Sequence, residues 1–411
     1  FINGLGALVT GATLLIISYY KFTQGAWMAI LVIPLIVALF NRIDNHYKEL
    51  GQQLSLRGLP PSLRPMPQPR VVIPVSGVHR AMIDAVKSGE NCYAPSEGVQ
   101  ELRQAIAEKE KRVNDVNISA ENVLITSGVS EGIRMLISAL IEKGDEILVP
   151  GPAYSPYISY SKAYDGTPIT YETIEEENWQ PNIDDLRSKI SEKTRAIVIN
   201  NPNNPTGALY RRKALKQMLD VAGEHELLVV SDEIYDQIRY VEDYASTAHL
   251  AKDLPVVGLN GFSKVYLMTG WRLGYMYFHE PKGELQELKN AIEKEQRIRI
   301  CASTPAQVAG IAALRGPQDH VKTLVEKLKV RRDYAWKRLN EIEGVSCAKP
   351  EGAFYFFPKI HDVGSKWKTD MEFAVELLKE TGVLLVHGSG FDPVYGAGHV
   401  RGVFLLSLIH I

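Results

Sequence analysis

The stretch ELLVVSDEIY, residues 226–235, is a short aliphatic run that ends in a carboxylate, Asp232. Four aliphatic residues in a row predict a buried strand, and an ionised carboxylate at its end is costly to bury without a cation nearby. The alternative is that Asp232 caps a helix formed by the residues after it. The stretch therefore predicts one strand of a sheet, with a polar group at the edge where the strand ends.

The same pattern of an aliphatic run followed by small or polar residues recurs on both sides of this stretch. The other runs are ENVLITSG (121–128), EILVPGPAY (146–154), TRAIVINNP (194–202) and PVVGLNGFSK (255–264). Segments with helical spacing of apolar residues alternate with these runs, as in VSEGIRMLISALIEKG (129–144). This alternation predicts an α/β fold, a three-layer αβα domain with a mostly parallel sheet. Ligands of such sheets bind at the carboxyl ends of the strands.

Three of the predicted strand ends carry side chains with a defined chemistry. The segment TSGVSEGI, 126–133, presents backbone N–H groups and the Ser130 hydroxyl at a helix N-terminus, which suits a phosphate; Ser130 is otherwise an ordinary N-cap. Tyr154 is either a core aromatic or a stacking platform for a flat ring. In NNPNNPTG, 200–207, two prolines and a glycine fix an unusual turn from which Asn204 projects.

The segment NGFSKVYLMTGWRLGY, 260–275, places Lys264 among small, apolar and aromatic residues, with Arg272 eight positions later. A lysine there either snorkels from a half-buried turn or uses its amine chemically. A phosphate site, a stacking aromatic, a carboxylate for a basic ring nitrogen and an amine for a carbonyl together match pyridoxal phosphate. We therefore predict that Lys264 forms a Schiff base with this cofactor, and that desolvation lowers the pKa of its amine.

The motifs NNPNNPTG, SDEIY (231–235) and SKVYLMTGWRLGY (263–275), in this order and spacing, resemble the class I aminotransferases of fold type I. The resemblance runs from about residue 85 to residue 405. Segments such as GPAYSPY (151–157), RIRICASTPAQ (297–307) and EGAFYFFPKI (351–360) are most similar to the alanine aminotransferase subgroup. The resemblance implies transfer of an amino group from an amino acid, alanine, to a 2-oxo acid, 2-oxoglutarate, by an enzyme of a typically homodimeric family.

The resemblance also implies roles for matching residues in the chemistry and in substrate binding. Lys264 corresponds to the catalytic Schiff-base lysine, and Asp232 to the carboxylate on the pyridine nitrogen. Arg401 corresponds to the arginine that binds the substrate α-carboxylate, with Asn204 beside it.

Further matching residues are implied to bind the cofactor. Asn204 and Tyr235 correspond to the residues that hydrogen-bond the ring 3-oxygen, and Tyr154 to the aromatic that stacks on the ring. The residues implied to bind the phosphate, the last of them from a neighbouring subunit, are Val129, Ser130, Ser263, Arg272 and Tyr93.

The first 86 residues differ in composition from the rest of the chain, because they contain two long uncharged runs. Residues 4–20 and 26–40 contain no charged side chain, and each run approaches the ~20 residues that cross a bilayer. They predict a transmembrane helical hairpin within residues 1–45 that anchors a cytoplasmic enzyme, with two buried core helices as the alternative. Residues 46–86 are predicted to be a linker. Residues 1 to about 86 together resemble the C-terminal part of an amino-acid permease.

The resemblance divides the rest of the chain into a cofactor-binding large domain, residues 87–320, and an α+β small domain, residues 321–405. The small domain is expected to be truncated at its C-terminal end, and residues 406–411, LSLIHI, do not resemble the family. We interpret that tail as artefactual and the N-terminal fusion as a chimeric or misassembled reading frame. Both departures leave dimerisation open.

The overall composition is that of an ordinary folded protein and weighs against other function classes. The chain has 411 residues, of which 45% are hydrophobic and 23% charged, and its formal net charge of −2 gives no reason to expect a nucleic acid partner. Three widely separated cysteines form no metal-binding pattern, so no metal site is predicted. Two alternatives stay open: a membrane-transporter fragment fused to an inactive aminotransferase core, and a lyase or decarboxylase of the same fold type.

Overall fold

The computed structural model of the protein describes residues 9, 11–13 and 76–405. The predicted transmembrane hairpin, most of the predicted linker and the LSLIHI tail lie outside these residues. Within the described residues, no helix combines the length and the apolar character needed to span a membrane. The described elements from Ser76 onward belong to one compact unit, Val72–Ile411.

An eight-stranded sheet lies at the centre of this unit, in the order β1-β8-β7-β6-β5-β2-β3-β4. Its strands are β1 Val123–Thr126, β2 Glu146–Gly151, β3 Thr167–Ile174, β4 Gln180–Pro181, β5 Thr194–Asn200, β6 Leu228–Asp232, β7 Val256–Gly261 and β8 Gly274–His279. The strands β3, β2, β5, β6 and β7 run parallel to one another, whereas β8 is antiparallel to both β7 and β1, and β4 is antiparallel to β3. The predicted mostly parallel sheet is confirmed.

The central strands are mainly aliphatic before their polar carboxyl ends, as expected for strands with both faces buried. In β6, Val229 packs into the hydrophobic core on one side of the sheet, while Leu228 and Val230 pack into the core on the other side. Strand side chains alternate between the two faces. A continuous aliphatic run therefore supplies both cores.

Helices cover both faces of the sheet, which confirms the three-layer arrangement. One core contains side chains from α2 Gln100–Lys109, α6 Arg212–Glu224 and α9 Thr304–Arg315. The other core contains side chains from α3 Val129–Leu140, α4 Ser155–Ala163 and α8 Gln286–Arg299. The remaining described α-helices are α1 Ser76–Lys87, α5 Ile183–Ser188, α7 Thr247–Ala251, α10 Asp319–Asn340 and α11 Asp370–Thr381.

The first described helix, Ser76–Lys87, contacts Thr304–Arg315. Ala85 is buried, and Ala81 and Met82 pack against the hydrophobic core. These three apolar positions form one stripe on the helix, and burying that stripe fixes the segment to the unit. Residues 76–86, which the sequence placed in the linker, are therefore part of the folded unit.

Short strands, most of α10 and the whole of α11 make up the region predicted as the small domain. A three-stranded antiparallel sheet has the order β10-β13-β12, and a two-stranded sheet pairs β11 with β9. These strands are β9 Val345–Ser346, β10 Tyr355–Phe356, β11 Lys359–Ile360, β12 Val386–His387 and β13 Val400–Val403. This region has the predicted α+β character, and it belongs to the same compact unit as the large sheet.

The register of the parallel strands brings their carboxyl ends together. Asn200 at the end of β5 pairs with Asp232 at the end of β6, and Asp232 pairs with Leu259 near the end of β7. Lys264 follows three residues after β7 ends, while Arg401 comes from β13 of the smaller sheet. Polar residues from distant parts of the sequence therefore meet at one edge of the large sheet.

Candidate active site

A cavity of about 290 Å³ lies at this edge of the sheet. The predicted site residues that line it are Val129, Ser130, Tyr154, Asn204, Asp232, Tyr235, Ser263, Lys264, Arg272 and Arg401. The structure thus brings together every predicted site residue except Tyr93. The side chain of Tyr93 is 80% exposed, and its contact with the phosphate of a neighbouring subunit stays a prediction.

Asp232 is the last residue of β6 and is buried. Its Oδ2 accepts a hydrogen bond from the Tyr157 hydroxyl at 3.1 Å, and its Oδ1 accepts one from the Ile234 backbone N–H at 3.3 Å. Burial raises the pKa of this carboxyl to about 6, although both hydrogen bonds and the charge of Lys264 act to lower it. Turn residues follow Asp232 in place of a helix, so the helix-capping alternative is wrong and the carboxylate is ionised near neutral pH.

Lys264 lies half-buried in the turn after β7. Its Nζ is 5.7 Å from the ring centroid of Tyr235 and 5.7 Å from that of Phe354. Desolvation lowers the pKa of Lys264, as do the charges of Arg401 and Arg272, and only Asp232 opposes the shift. The predicted lowering is confirmed, and it increases the fraction of unprotonated amine.

A glycine allows the first turn of α3 to approach Arg272. Gly128 precedes the helix with φ 84°, and a Cβ atom there would lie 2.5 Å from Arg272 Nη2. The Arg272 guanidinium donates hydrogen bonds to the carbonyl oxygens of Thr269, at 3.0 Å, and Ser127, at 3.3 Å. The helix begins at Val129, so Ser130 is not its N-cap. Backbone N–H groups and a guanidinium together form a cradle for an anion.

Arg401 reaches the cavity from the smaller sheet. Its Nη1 donates a hydrogen bond to Asn204 Oδ1 at 2.8 Å. Its guanidinium lies 4.8 Å from the ring centroid of Tyr355 and 4.7 Å from that of Phe391. The Nε atom is buried and finds no hydrogen-bond partner in the described part of the chain. Asn204 is itself oriented, because its backbone N–H donates to Asn200 Oδ1 at 2.9 Å.

Two tyrosines that were not among the predicted site residues also belong to the site. Tyr157 donates to Asp232, and the Tyr355 hydroxyl lies 2.6 Å from that of Tyr235. Both occur in segments that carried the subgroup resemblance, GPAYSPY and EGAFYFFPKI. A buried tyrosine is ordinarily part of the core, and the partner of its hydroxyl depends on long-range packing. The other lining residues that were not predicted are Asn200, Ile234 and Thr269.

The charges of the cavity favour an anionic ligand. Lys264, Arg272 and Arg401 line it, and Asp232 is the acidic residue among the lining side chains. Across residues 76–405, no ion pair joins any of these three cations to a carboxylate. A cradle that only glycine permits, a buried carboxylate and an unpartnered guanidinium nitrogen fit a ligand with a phosphate, a basic ring nitrogen and a substrate carboxylate. The residues present therefore fit pyridoxal 5′-phosphate together with an amino acid.

Comparisons with known proteins agree with this chemistry. The family model described as aminotransferase class I and II matches residues 70–401. An alanine aminotransferase of Mycobacterium tuberculosis is 38% identical over 320 residues, which is 77% of this chain and 74% of that protein. The glutamate-pyruvate aminotransferase AlaA of Escherichia coli is 38% identical over 303 residues, 73% of this chain and 75% of that protein.

A solved structure is similar over the same region. An alanine aminotransferase from Pyrococcus furiosus is 53% identical with a TM-score of 0.80, and the match covers 82% of this chain and 85% of that chain. Because the family match begins at residue 70, it gives no support to the predicted permease resemblance of residues 1 to about 86.

Proposed function

The chain belongs to the class I and II aminotransferases, which use pyridoxal 5′-phosphate, and from this premise we propose that it transfers the amino group of alanine to a 2-oxo acid, 2-oxoglutarate. Relatives named for alanine and for glutamate and pyruvate support this choice of substrates. One observation carries the proposal: an amine, a carboxylate and a guanidinium line one small cavity, from Lys264, Asp232 and Arg401.

The cofactor supplies an aldehyde that exchanges amines and a protonated ring that withdraws electrons from the substrate α-carbon. Lys264 is the base that removes the α-proton, because the burial that lowers its pKa leaves its amine free to accept a proton. Asp232 keeps the ring nitrogen protonated, since its carboxylate is ionised above about pH 6 and a cation beside it extends that range downward.

The substrate α-carboxylate binds to Arg401. Its Nε atom lacks an acceptor in the described residues, and a carboxylate supplies one in a bidentate pair. Asn204, which holds Nη1 through its side-chain oxygen, fixes the plane of the guanidinium and hence the orientation of the substrate. Because Arg401 and Lys264 line the same cavity, a substrate bound through its α-carboxylate lies in the cavity that also holds the base.

The remaining residues hold the cofactor. Asn204 and Tyr235 bind the ring 3-oxygen, and Tyr154 packs on the ring; the position of all three at the cavity supports these roles. The phosphate-binding residues are Val129, Ser130, Ser263, Arg272 and, from a second subunit, Tyr93. A homodimer is typical of the family, and Tyr93 requires one in order to act.

Amino-donor half-reactions test the substrate assignment. The holoenzyme is mixed with alanine, glutamate or aspartate, and the visible absorbance of the bound cofactor is followed. Alanine and glutamate are expected to convert the cofactor at least about tenfold faster than aspartate, a discrimination of roughly 1.4 kcal/mol. Faster conversion by aspartate than by alanine would contradict the assignment.

The Lys264→Ala variant tests the catalytic assignment. Loss of the base and of the covalent attachment is expected to reduce turnover by at least ~10³-fold and to shift the visible absorbance of bound cofactor toward that of the free aldehyde. Retained turnover in the purified variant would contradict the assignment of Lys264 as the catalytic base.

Membrane anchoring through residues 4–40, with the enzyme domain in the cytoplasm, stays a separate proposal. Two uncharged runs of near-spanning length motivate it. Fractionation of cells that express the full chain tests this anchoring. Aminotransferase activity should sediment with the membranes and remain in the membrane fraction after a salt wash. Activity found only in the soluble fraction would rule out the anchor.

A further inference from the structure

Tyr355 lines the active-site cavity but has no part in the chemistry described so far. It lies on β10, where it pairs with Val403 of β13. Arg401 is two residues from Val403 on the same strand, so its side chain points to the same face of the sheet as that of Tyr355. The smaller sheet therefore places this tyrosine beside the substrate-binding arginine.

The hydroxyl of Tyr355 meets that of Tyr235. The two oxygens are 2.6 Å apart, and the rings cross at 83° with centroids 5.7 Å apart. Burial raises the pKa of both phenols above its usual value, so both hydroxyls keep their protons at neutral pH. A hydroxyl has one proton to donate. If Tyr235 donates its proton to the cofactor ring oxygen, Tyr355 must be the donor in the bond between the two tyrosines.

The ring of Tyr355 has a second contact. The Arg401 guanidinium lies 4.8 Å from the Tyr355 ring centroid, within the range of a cation–π interaction. The guanidinium also lies 4.7 Å from the ring centroid of Phe391. Two aromatic contacts thus restrict the position of the cation, and Asn204 accepts a hydrogen bond from its Nη1 atom. One side chain touches both the group at the cofactor ring oxygen and the group that binds substrate.

We propose that Tyr355 is a positioning residue with two separable actions: its hydroxyl directs the Tyr235 proton toward the cofactor, and its ring orients Arg401 for the substrate carboxylate. The inference rests on the proposed roles of Tyr235 and Arg401. It predicts that removal of the hydroxyl alone shifts the pH midpoint of the bound cofactor's visible absorbance. Removal of the ring should also weaken the binding of a carboxylate.

Substitution of the hydroxyl tests the first action. Tyr355→Phe keeps the ring and removes the donor to Tyr235, which then donates more weakly, because hydrogen bonds in a chain strengthen one another by roughly 10–30%. The charge on the cofactor ring oxygen is then less stabilised. The pH midpoint of the bound cofactor's visible absorbance is expected to rise by about 0.3 unit.

A double-variant comparison shows whether the effect passes through Tyr235. Tyr235→Phe is expected to raise the same midpoint by more than Tyr355→Phe does, and the double variant should match Tyr235→Phe alone. Additive shifts, or no shift in Tyr355→Phe, would overturn the inference alone. No shift in Tyr235→Phe would overturn the proposed role of Tyr235 and the inference with it.

Carboxylate binding tests the second action. Propionate is titrated into the holoenzyme and its dissociation constant is measured by calorimetry. Tyr355→Phe is expected to keep this constant within about twofold, while Tyr355→Leu, which lacks a ring, should raise it about fivefold, the scale of one cation–π contact. Equal constants in the two variants would overturn the role of the ring.

Tyr240→Phe is the matched control. The Tyr240 hydroxyl donates to the Ala353 carbonyl at 2.6 Å, two residues from Tyr355, and Tyr240 is not among the residues that line the cavity. Its loss costs a buried hydrogen bond on the same segment. A comparable fall in Tm with an unchanged absorbance midpoint is expected. A midpoint shift in this variant would show a general structural effect and overturn the inference.

Discussion

Individual side chains in the site are kept in costly states that only a ligand relieves. Asp232 is the clearest case, because burial raises its pKa from 3.8 to about 6. The folded protein binds this proton more tightly than the unfolded chain, so the ionised carboxylate costs stability. The cost is absent below the usual pKa of 3.8, grows as the pH rises, and is complete above about pH 6.

The Asp232→Asn variant tests this cost in the apoenzyme. Its free energy of unfolding, relative to the wild type, is expected to rise between pH 4 and pH 6 and to level off at roughly 3 kcal/mol, the equivalent of two pKa units. Aminotransferase activity should be lost in the same variant. Denaturant unfolding at several pH values measures the difference, and a difference that does not vary with pH would contradict it.

At position 128 there is no room for a Cβ atom beside the Arg272 guanidinium. Gly128→Ala introduces a Cβ atom 2.5 Å from Arg272 Nη2, so the dissociation constant for pyridoxal 5′-phosphate is expected to rise at least about tenfold, the loss of one charge-assisted hydrogen bond. Gly144→Ala is the matched control, since Gly144 has a similar φ of 90° and nothing within 4 Å of its Cβ position. The control should lose only about 1 kcal/mol of stability through backbone strain. Equal cofactor affinity in both variants would contradict the steric argument.

At the scale of elements, a buried ion pair joins the end of α2 to the turn after β6. Lys109 Nζ lies 2.5 Å from Asp236 Oδ2 and 2.9 Å from Glu110 Oε1. Asp236 also accepts a hydrogen bond from Asn260 at 3.0 Å. Asp236 follows Tyr235 in the chain, and Asn260 precedes the segment with Lys264. One carboxylate therefore connects the turn that carries Asp232 and Tyr235 with the strand that leads to Lys264.

Lys109→Met is expected to destabilise the protein by about 3–5 kcal/mol, because it leaves two buried carboxylates without their cation. The exposed Lys111, paired with Asp115 at 2.7 Å, provides the control. Lys111→Met should change stability by less than about 1 kcal/mol. Denaturant unfolding measures both variants, and similar losses would show that burial does not govern the effect.

At the scale of the whole molecule, the compact unit Val72–Ile411 contains the cavity and the residues that line it. A chain that begins at residue 72 keeps the Ser76–Lys87 helix on the core and is expected to bind pyridoxal 5′-phosphate as the full chain does. A chain that begins at residue 89 exposes the surface covered by Ala81, Met82 and Ala85. It should lose several kcal/mol of stability, at about 25 cal/mol for each Å² of apolar surface uncovered.

Spectroscopic titration with the cofactor, together with thermal unfolding, distinguishes the two chains. Equal stability would show that the helix is dispensable.

The sequence by itself determined the sheet and most of the cavity lining, because aliphatic strands ending in polar residues converge at one edge by the geometry of a parallel sheet. Asp232, Asn204 and Lys264 could be selected in this way, and family resemblance added Arg401. Only the tertiary structure decided the partners of Tyr157 and Tyr355 and the attachment of residues 76–86. Whether a tyrosine hydroxyl or an apolar helix stripe finds a partner depends on elements far away in the chain, 75 residues away for Tyr157 and 120 for Tyr355, and local sequence patterns do not encode contacts over such separations.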